Sequence, residues 1–433
     1  MKKTFAILAG ILTCSMVHGQ SQSDYVPLKK LFEKDFLIGV AANERTFTGE
    51  TGKFLLENFN TITAENAMKP ENVLYRRPQP RPAGQPGQPG QPGQPGQPGQ
   101  APQGANRPQG APQGQPGQAP GRPQGAPQGQ PGNMGGFQPL PPKLDSVNGL
   151  VFNWASADAH ADFARANNLK MRGHTLVWHS QTPASFFTDS KGNQLTKEQL
   201  YARLKDYMTA VINRYKDVTF CWDVVNEALS DTEGQIYRTS SKWYEICGKD
   251  YIAQAFRIAR SVNPDIKLIY NDYNIVDPAK RERAYTMLKE LKDAGVPIDG
   301  VGMQAHWSYE VTPEMIQASI DRFSSLGLDI MITELDLTTY SNYHGEGGKN
   351  QVQETHEFTD ELAQLQADKY KSYFEVLHKN ADKISSVTFW GLDDGRTWLN
   401  GFPVRGRRDY PLLYDAQLKP KKAYYSIKSI YQK

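Results

Sequence analysis

Two acidic residues lie at the ends of apolar, strand-like segments of this 433-residue chain. Glu227 ends the strand-like part of WDVVNEA (Trp222–Ala228), and Glu334 lies in ITELDL (Ile332–Leu337). Carboxyl groups at the ends of two different strands, in a chain rich in aromatic residues, are suited to act as acid and nucleophile on either side of a glycosidic bond. The sequence therefore predicts an enzyme that cleaves sugar chains.

Period-two alternation predicts which side chains accompany Glu334. Glu334 and Asp336 share one face of their strand, and the leucines that follow each of them share the other face. Gln304 and His306 share a face of the preceding strand in the same way. A histidine between the two carboxylates could hold Glu334 oriented and ionised, with Asp336 behind it, which is what a carboxylate nucleophile requires.

Glu227 has the opposite requirement, because a general acid must keep its proton near neutral pH. Apolar surroundings from Trp222 and Trp390, or the negative charge of Glu334, would favour the protonated form. Asn226 is suited to hydrogen-bond the 2-hydroxyl of the sugar. Adjacent strand residues point to opposite sides, so Asn226 and Glu227 can share a pocket only if the strand ends or bulges there.

Alternating strand-like and helix-like patterns predict an α/β fold, and eight strands indicate a (β/α)8 TIM barrel. The strand candidates are residues 36–42, 60–66, 170–178, 219–227, 266–273, 300–307, 328–337 and 385–393. Helical patterns separate them, for example Lys197–Tyr215, Tyr251–Val262, Ala279–Ala294 and Pro313–Leu326. Each polar or aromatic residue at a strand end could alone be a solvated or core residue. Their recurrence at the carboxyl ends, where such barrels carry their active sites, favours one shared site.

Charge and motif content narrow the class of function. The net charge is +3 without any block of like charges, which argues against nucleic acid or an anionic membrane surface as a partner. Past the first residues, no stretch of the sequence reaches the ~18 apolar residues of a membrane helix. The sequence contains no CxxC or HExxH pattern, so we expect no metal and no cofactor. The two later cysteines, Cys221 and Cys247, are expected to be buried free thiols.

The first residues predict a signal peptide over residues 1–19. Two lysines are followed by the apolar run Phe5–Leu12 and the small-residue exit Val17–Gly19. Cleavage would leave residues 20–433 as the catalytic domain. Cys14 leaves a lipoprotein as the alternative, although the residues before it fit a lipobox poorly. We expect an exported protein that is periplasmic, attached to the cell surface or secreted.

Residues 76–142 form a low-complexity insert within this domain, in the loop after the second strand. GQP triplets run from Gly84 to Gly99 and give way to looser PQGA and RPQG repeats. The segment has too few apolar residues to offset the entropy of ordering, which predicts a disordered, partly polyproline-like excursion. A collagen-like structure is the weaker alternative, because the triplets soon decay.

Seven segments in order, TAENAMKPE, GHTLVWHSQTP, WDVVNEA, YNDYN, GVGMQAHW, TELD and FWGLDDGRTWL, resemble glycoside hydrolase family 10. Members of this family are retaining endo-β-1,4-xylanases, and the resemblance covers nearly the whole mature chain outside the insert. It implies that Glu227 is the acid/base and Glu334 the nucleophile, on strands four and seven of the barrel. In retaining enzymes the two carboxyl groups lie about 5–5.5 Å apart.

The resemblance also implies a monomer whose partner is xylan or a xylo-oligosaccharide. The glycone side of the cleft would be lined by Glu65, Asn66, Lys69, His174 and Trp178. The scissile sugar would be surrounded by Asn226, Gln304 and His306, with Asp336 behind them. Trp390 and Trp398 would form an aromatic floor and wall, and Tyr273 would support the aglycone side.

Two other functions are compatible with parts of the pattern. A cellulase on a related barrel is the first, and the GHTLVWH segment argues against it. A non-catalytic carbohydrate-binding protein is the second, and it would require the loss of Glu227 or Glu334, both of which are present.

Overall fold

The computed structural model describes residues 24–75, 140–340 and 355–431. The predicted signal peptide and all but the last three residues of the predicted insert lie outside the described residues. Within them, no helix is both long and apolar enough to cross a membrane.

Eight parallel strands close into a barrel, which confirms the predicted (β/α)8 fold. Each strand pairs with the next one along the chain, and the eighth pairs with the first. The strand starts differ from the predicted starts by no more than one residue. The strands are β1 (Leu37–Ala42), β2 (Thr61–Ala64), β3 (Lys170–Trp178), β4 (Thr219–Asn226), β5 (Lys267–Asp272), β6 (Gly300–Met303), β7 (Asp329–Thr338) and β8 (Ile384–Phe389).

Helices follow the strands and cover the outside of the barrel. They are α1 (Leu28–Leu31), α2 (Gly49–Asn58), α3 (Pro70–Val73), α4 (Ala155–Ala166), α5 (Lys197–Tyr215), α6 (Lys242–Cys247), α7 (Asp250–Val262), α8 (Pro278–Asp293), α9 (Pro313–Ser324), α10 (Asp360–Lys379) and α11 (Lys422–Lys428). The starts of several are fixed by capping side chains. Thr196 and Gln199 form a reciprocal capping box at α5, and Asp277 accepts two backbone N–H groups at α8.

Two apolar layers hold the barrel together. A small cluster is formed by Cys221, Ile269 and Met331, and a much larger one joins the strands to the helices. Trp222 belongs to the larger cluster, and its ring covers Gly173 so closely that a Cβ there would lie 2.2 Å from a ring carbon. Cys221 and Cys247 are buried free thiols, as expected.

The described edges of the predicted insert meet on a small sheet that the sequence did not predict. An antiparallel hairpin joins Leu144–Val147 to Leu150–Asn153. On its other side the second strand bridges Leu74 to Phe152, and the backbone N–H of Tyr75 donates to Val151 at 2.8 Å. The chain therefore leaves and re-enters the barrel at positions separated by one strand.

Candidate active site

Glu227 immediately follows the last residue of β4 and has a left-handed backbone, with φ of 56°. This departure from strand geometry lets Asn226 and Glu227 point into one pocket, the condition set by the sequence. Three donors surround the carboxylate. Trp178 Nε1 reaches Oε2 at 2.7 Å, while Gln304 Nε2 and Asn226 Nδ2 reach Oε1 at 2.9 and 3.0 Å.

Glu334 points inward from β7 and is only 4% exposed. Burial by itself would raise its pKa, but nearby His174, the hydrogen bond and charge of His306, and the charge of Arg172 together lower the pKa to about 2. His306 Nε2 lies 3.3 Å from Oε2. Glu334 is therefore held as a carboxylate across the ordinary pH range, as a nucleophile requires.

His306 lies between Glu334 and Asp336, as alternation along β7 predicted. Its Nδ1 is 3.0 Å from Asp336 Oδ1, and Trp398 Nε1 donates to Asp336 Oδ2 at 2.8 Å. Burial would lower the pKa of His306, but the two carboxylates outweigh it and raise the pKa to about 10. Ala305, with φ of 64°, separates β6 from the short strand His306–Ser308, so Gln304 and His306 both reach the site.

Asn271 connects the two glutamates and was missed by the sequence reasoning. Its Nδ2 lies 2.8 Å from Glu334 Oε1 and 2.9 Å from the Oδ1 of Asn226, which itself bonds to Glu227. Its own Oδ1 accepts a hydrogen bond from Thr333 at 2.7 Å. The available signal was its place in YNDYN near the end of a predicted strand, two residues before Tyr273.

A buried ionic layer lies beneath this site, and the pairing of Arg172 with Asp223 in it was not predicted. Arg172 pairs with Asp223 and donates to the backbone oxygen of Thr333 at 2.8 Å. Asp223 also accepts from His174 Nδ1 at 2.8 Å, which makes it a structural hydrogen-bonding residue. Trp222 does not serve the role suggested for it near Glu227, because its ring packs over Gly173 in the larger cluster.

Lys69, Asn66 and Trp178, three of the residues predicted for the glycone side, lie together, whereas His174 is buried beneath the site against Asp223. Lys69 is 7% exposed, donates to Asn66 Oδ1 at 2.9 Å, and lies 5.0 Å from the centre of the Trp178 ring. Burial lowers the pKa of Lys69, and the carboxylates of Glu334, Glu65 and Glu227 oppose that shift. A pocket continues outward from Glu65 and is lined by Ala41, Asn43, Thr46, Glu65, Trp390, Gly391, Leu392, Arg396 and Trp398.

Tyr273, predicted for the aglycone side, is held by a charged network. Its hydroxyl contacts Asp231 and accepts from Arg238 at 2.9 Å, and Lys280 Nζ lies 3.4 Å from the centre of its ring. Arg238 Nε also donates to the backbone oxygen of Glu227 at 3.3 Å. The network therefore links the tyrosine to the end of β4.

No group of three or more His, Cys, Asp or Glu side chains within residues 24–75, 140–340 and 355–431 is arranged to hold a metal ion. The site supplies two glutamates and the hydrogen-bond donors around them. A (β/α)8 barrel with two glutamates at the ends of β4 and β7, linked by amide side chains and lined by tryptophans, defines a glycoside hydrolase.

Residues 133–430 match the family described as glycosyl hydrolase family 10, and the chain belongs to this family. It is 45% identical to a β-1,4-xylanase of Dictyoglomus thermophilum over 278 residues, 64% of this chain and 75% of the relative. It is 43% identical to a thermostable celloxylanase of Thermoclostridium stercorarium over 301 residues, 66% of this chain and 75% of that protein. The solved structure of an endo-1,4-β-xylanase from Caldicellulosiruptor owensensis matches with a TM-score of 0.72 and 34% identity, covering 93% of this chain and 99% of the other.

Proposed function

We propose that this glycoside hydrolase is an endo-1,4-β-xylanase that cleaves internal β-1,4-xylosidic bonds in xylan with retention of configuration. The observation that carries the proposal is the bridge through Asn226 and Asn271, which joins the carboxylates of Glu227 and Glu334 in one hydrogen-bonded cluster. Such a bridge supports closely spaced carboxylates rather than a pair separated by an attacking water. The names of the relatives support xylan as the substrate.

In the first step, the Glu334 carboxylate attacks the anomeric carbon while Glu227 donates its proton to the leaving glycosidic oxygen. The C–O bond to the aglycone breaks, and a covalent glycosyl-enzyme ester forms on Glu334. The low pKa of Glu334 keeps the attacking group ionised. In this proposal Asn226 binds the sugar 2-hydroxyl, a contact that strengthens as positive charge develops on the sugar ring.

In the second step, Glu227 acts as a base. It takes a proton from a water molecule that enters on the vacated aglycone side, and the water oxygen attacks the anomeric carbon. The bond to Glu334 breaks and its carboxylate is restored. His306, held by Asp336 on its far side, is positioned to stabilise that carboxylate as it departs.

The test is reducing-sugar release from xylan by wild type, Glu334→Gln and a control, Glu314→Gln. Glu314 is an exposed glutamate in the first turn of α9. We expect Glu334→Gln to lower kcat at least about a thousandfold and the control to retain full activity. NMR of the first product formed should show the β-anomer. An initial α-anomer would refute the retaining mechanism, and a fully active Glu334→Gln would refute the assigned nucleophile.

Cellulose is the second candidate substrate, because one relative is named a celloxylanase. The same assay on a soluble cellulose derivative separates the two. Cleavage of the cellulose derivative alone would replace the xylanase proposal, and cleavage of both would broaden it.

We further propose that the chain is exported and acts as a monomer. The charged and apolar pattern of the first residues supports export. Sequencing the amino terminus of the mature protein tests the cleavage after Gly19, and light scattering in solution tests the monomer. An intact Met1 or a stable dimer would contradict the respective proposal.

A further inference from the structure

The pocket at the glycone rim contains a cation that the proposed mechanism does not use. It lies between the residues after β1 and β2 and the loop after β8. Glu65, Trp390 and Trp398 on its wall belong to the proposed substrate-binding set. Arg396 lines the same pocket but belongs neither to that set nor to the cluster around Glu227 and Glu334.

Arg396 is held by a buried carboxylate and is still partly exposed to solvent. Its Nη1 bonds to the carboxylate of Asp393, which is fully buried and also accepts the backbone N–H of Gly395 at 2.9 Å. The Arg396 side chain is nevertheless 40% exposed. In the part of the chain that the structure describes, its Nε and Nη2 have no hydrogen-bond acceptor. Asp393 thus holds Nη1 of the guanidinium, while the side chain as a whole lines the pocket and stays partly exposed.

The pocket walls have complementary chemistry. Glu65, which accepts a hydrogen bond from Asn43 at 3.1 Å, offers acceptors to sugar hydroxyl groups. Arg396 offers only donors and a permanent positive charge, and a planar guanidinium binds a carboxylate better than a neutral hydroxyl. A neutral xylose unit has no carboxylate for Arg396. A chain whose glycone-side sugar carries a uronic acid branch would satisfy both walls.

We propose that this pocket binds an acidic substituent on the glycone side, so that Arg396 makes acid-substituted xylan a preferred substrate. The inference rests on the proposed function, since it specifies which xylan the same site accepts. Arg396 is a specificity-determining residue in this proposal and takes no part in bond cleavage. Its contribution should therefore vanish on substrates without a carboxylate.

The experiment compares kcat/KM on glucuronic-acid-substituted xylan with kcat/KM on unsubstituted linear xylan. The proteins are wild type, Arg396→Gln, Arg396→Lys and Arg405→Gln. Arg405 is an exposed arginine of the same loop that does not line the pocket, so its variant controls for the loss of one charge. Arg396→Lys keeps the charge toward Asp393 if Arg396→Gln folds poorly. The ratio of the two substrates cancels any change in the folded fraction.

We expect Arg396→Gln to lower the acidic-to-neutral ratio about threefold to tenfold, as for a partly exposed ionic contact. Arg396→Lys should lower it less, and Arg405→Gln should not change it. Mass spectrometry of wild-type products should place the uronic acid on the fragment with the new reducing end. An unchanged ratio in Arg396→Gln, an equal loss in Arg405→Gln, or uronic acid only on the aglycone fragment would overturn the inference. Wild-type activity on linear xylan reports separately on the proposed function, and its absence on both substrates would overturn both.

Discussion

Asn271 donates from one side-chain nitrogen to Glu334 at 2.8 Å and to Asn226 at 2.9 Å. Its position is set partly by a glycine on the neighbouring strand. A Cβ added at Gly302 would lie 2.3 Å from Asn271 Oδ1 and 2.8 Å from the methyl group of Thr333. The spacing of the two proposed catalytic carboxylates therefore depends on a position that has no side chain.

Gly302→Ala is expected to lower kcat about tenfold to a hundredfold, because the displaced amide moves Glu334 out of its attacking geometry. Steady-state kinetics on xylan, with the folded fraction checked by circular dichroism, measures the effect. The matched control is Gly300→Ala on the same strand, whose Cβ would meet Asp329 and Ile269 but not Asn271. Equal kcat in the two folded variants would contradict this role of Gly302.

His306 should make stability fall at alkaline pH. Its pKa rises from 6.5 to about 10 on folding, so the folded state binds the proton more tightly than the unfolded chain. The resulting stabilisation is fully present below about pH 6.5 and is lost as pH rises toward 10. The free energies of unfolding of wild type and His306→Gln, measured with urea, should converge as the pH rises from 6 to 10. Parallel curves would contradict the assignment.

Glu334 should make stability fall at acidic pH. Its pKa falls from 4.5 to about 2 on folding, so its contribution is present above about pH 4.5 and is lost as pH falls through about 2. The difference in free energy of unfolding between wild type and Glu334→Gln should therefore become smaller as the pH is lowered from 6 to 2. A difference that stays constant over this range would show that Glu334 is not held ionised by its neighbours.

Lys280 should contribute far more to the free energy of unfolding than a similar cation on the surface. It is 4% exposed and lies 3.0 Å from Asp231, 3.1 Å from Asp272 and above the Tyr273 ring. Lys280→Met leaves the buried Asp272 without its cation and is expected to cost about 3–5 kcal/mol of unfolding free energy.

A matched control exists on the surface. Arg322 lies over the ring of Tyr285 and pairs with Glu282, but both charged side chains are exposed. Arg322→Met is expected to cost no more than about 1 kcal/mol. Similar denaturation midpoints for Lys280→Met and Arg322→Met would contradict the distinction.

Excising residues 80–135 should leave folding and activity intact. The described ends flank one strand of the small sheet at Val151, so a short connection spans them. Shortening the connection to roughly a sixth of its length removes closure entropy and should stabilise the protein by about 1.5 kcal/mol. Thermal unfolding measures the stability of the shortened protein, and a xylan-cleavage assay measures its activity. Loss of either would show that the excised segment contributes to the barrel or to the site.

Periodicity and strand-end position accounted for much of this structure. All eight barrel strands were predicted because their apolar runs are bounded by helical patterns, and helix α5 matched residue for residue. The hairpin Leu144–Asn153 was missed because it is short and largely exposed. Strand alternation correctly placed Glu334 and Asp336 on one face of β7, whereas His306 reaches them from beyond the left-handed backbone of Ala305, where the strand is interrupted.

Contacts between residues that are distant in the sequence were not predicted. Arg172 pairs with Asp223, and Asn271 bonds to Glu334, each across different strands, and no pattern within one segment predicts such contacts. Trp178 on β3 donates its indole N–H to Glu227, whereas Trp222, which was expected to lower the polarity around Glu227, packs over Gly173. The roles of the binding residues come from resemblance and stay predictions until variants are measured.

The left-handed backbone at Glu227 is a local strain that the hydrogen bonds of its carboxylate offset. A non-glycine residue with φ of 56° costs about 1 kcal/mol that glycine would not. The same substitution would remove a carboxylate that shares its cluster with Glu334. Glycine at position 227 would relieve the strain but would also leave the donors of Trp178, Gln304 and Asn226 without their acceptor, so the carboxylate offsets the backbone strain that it requires.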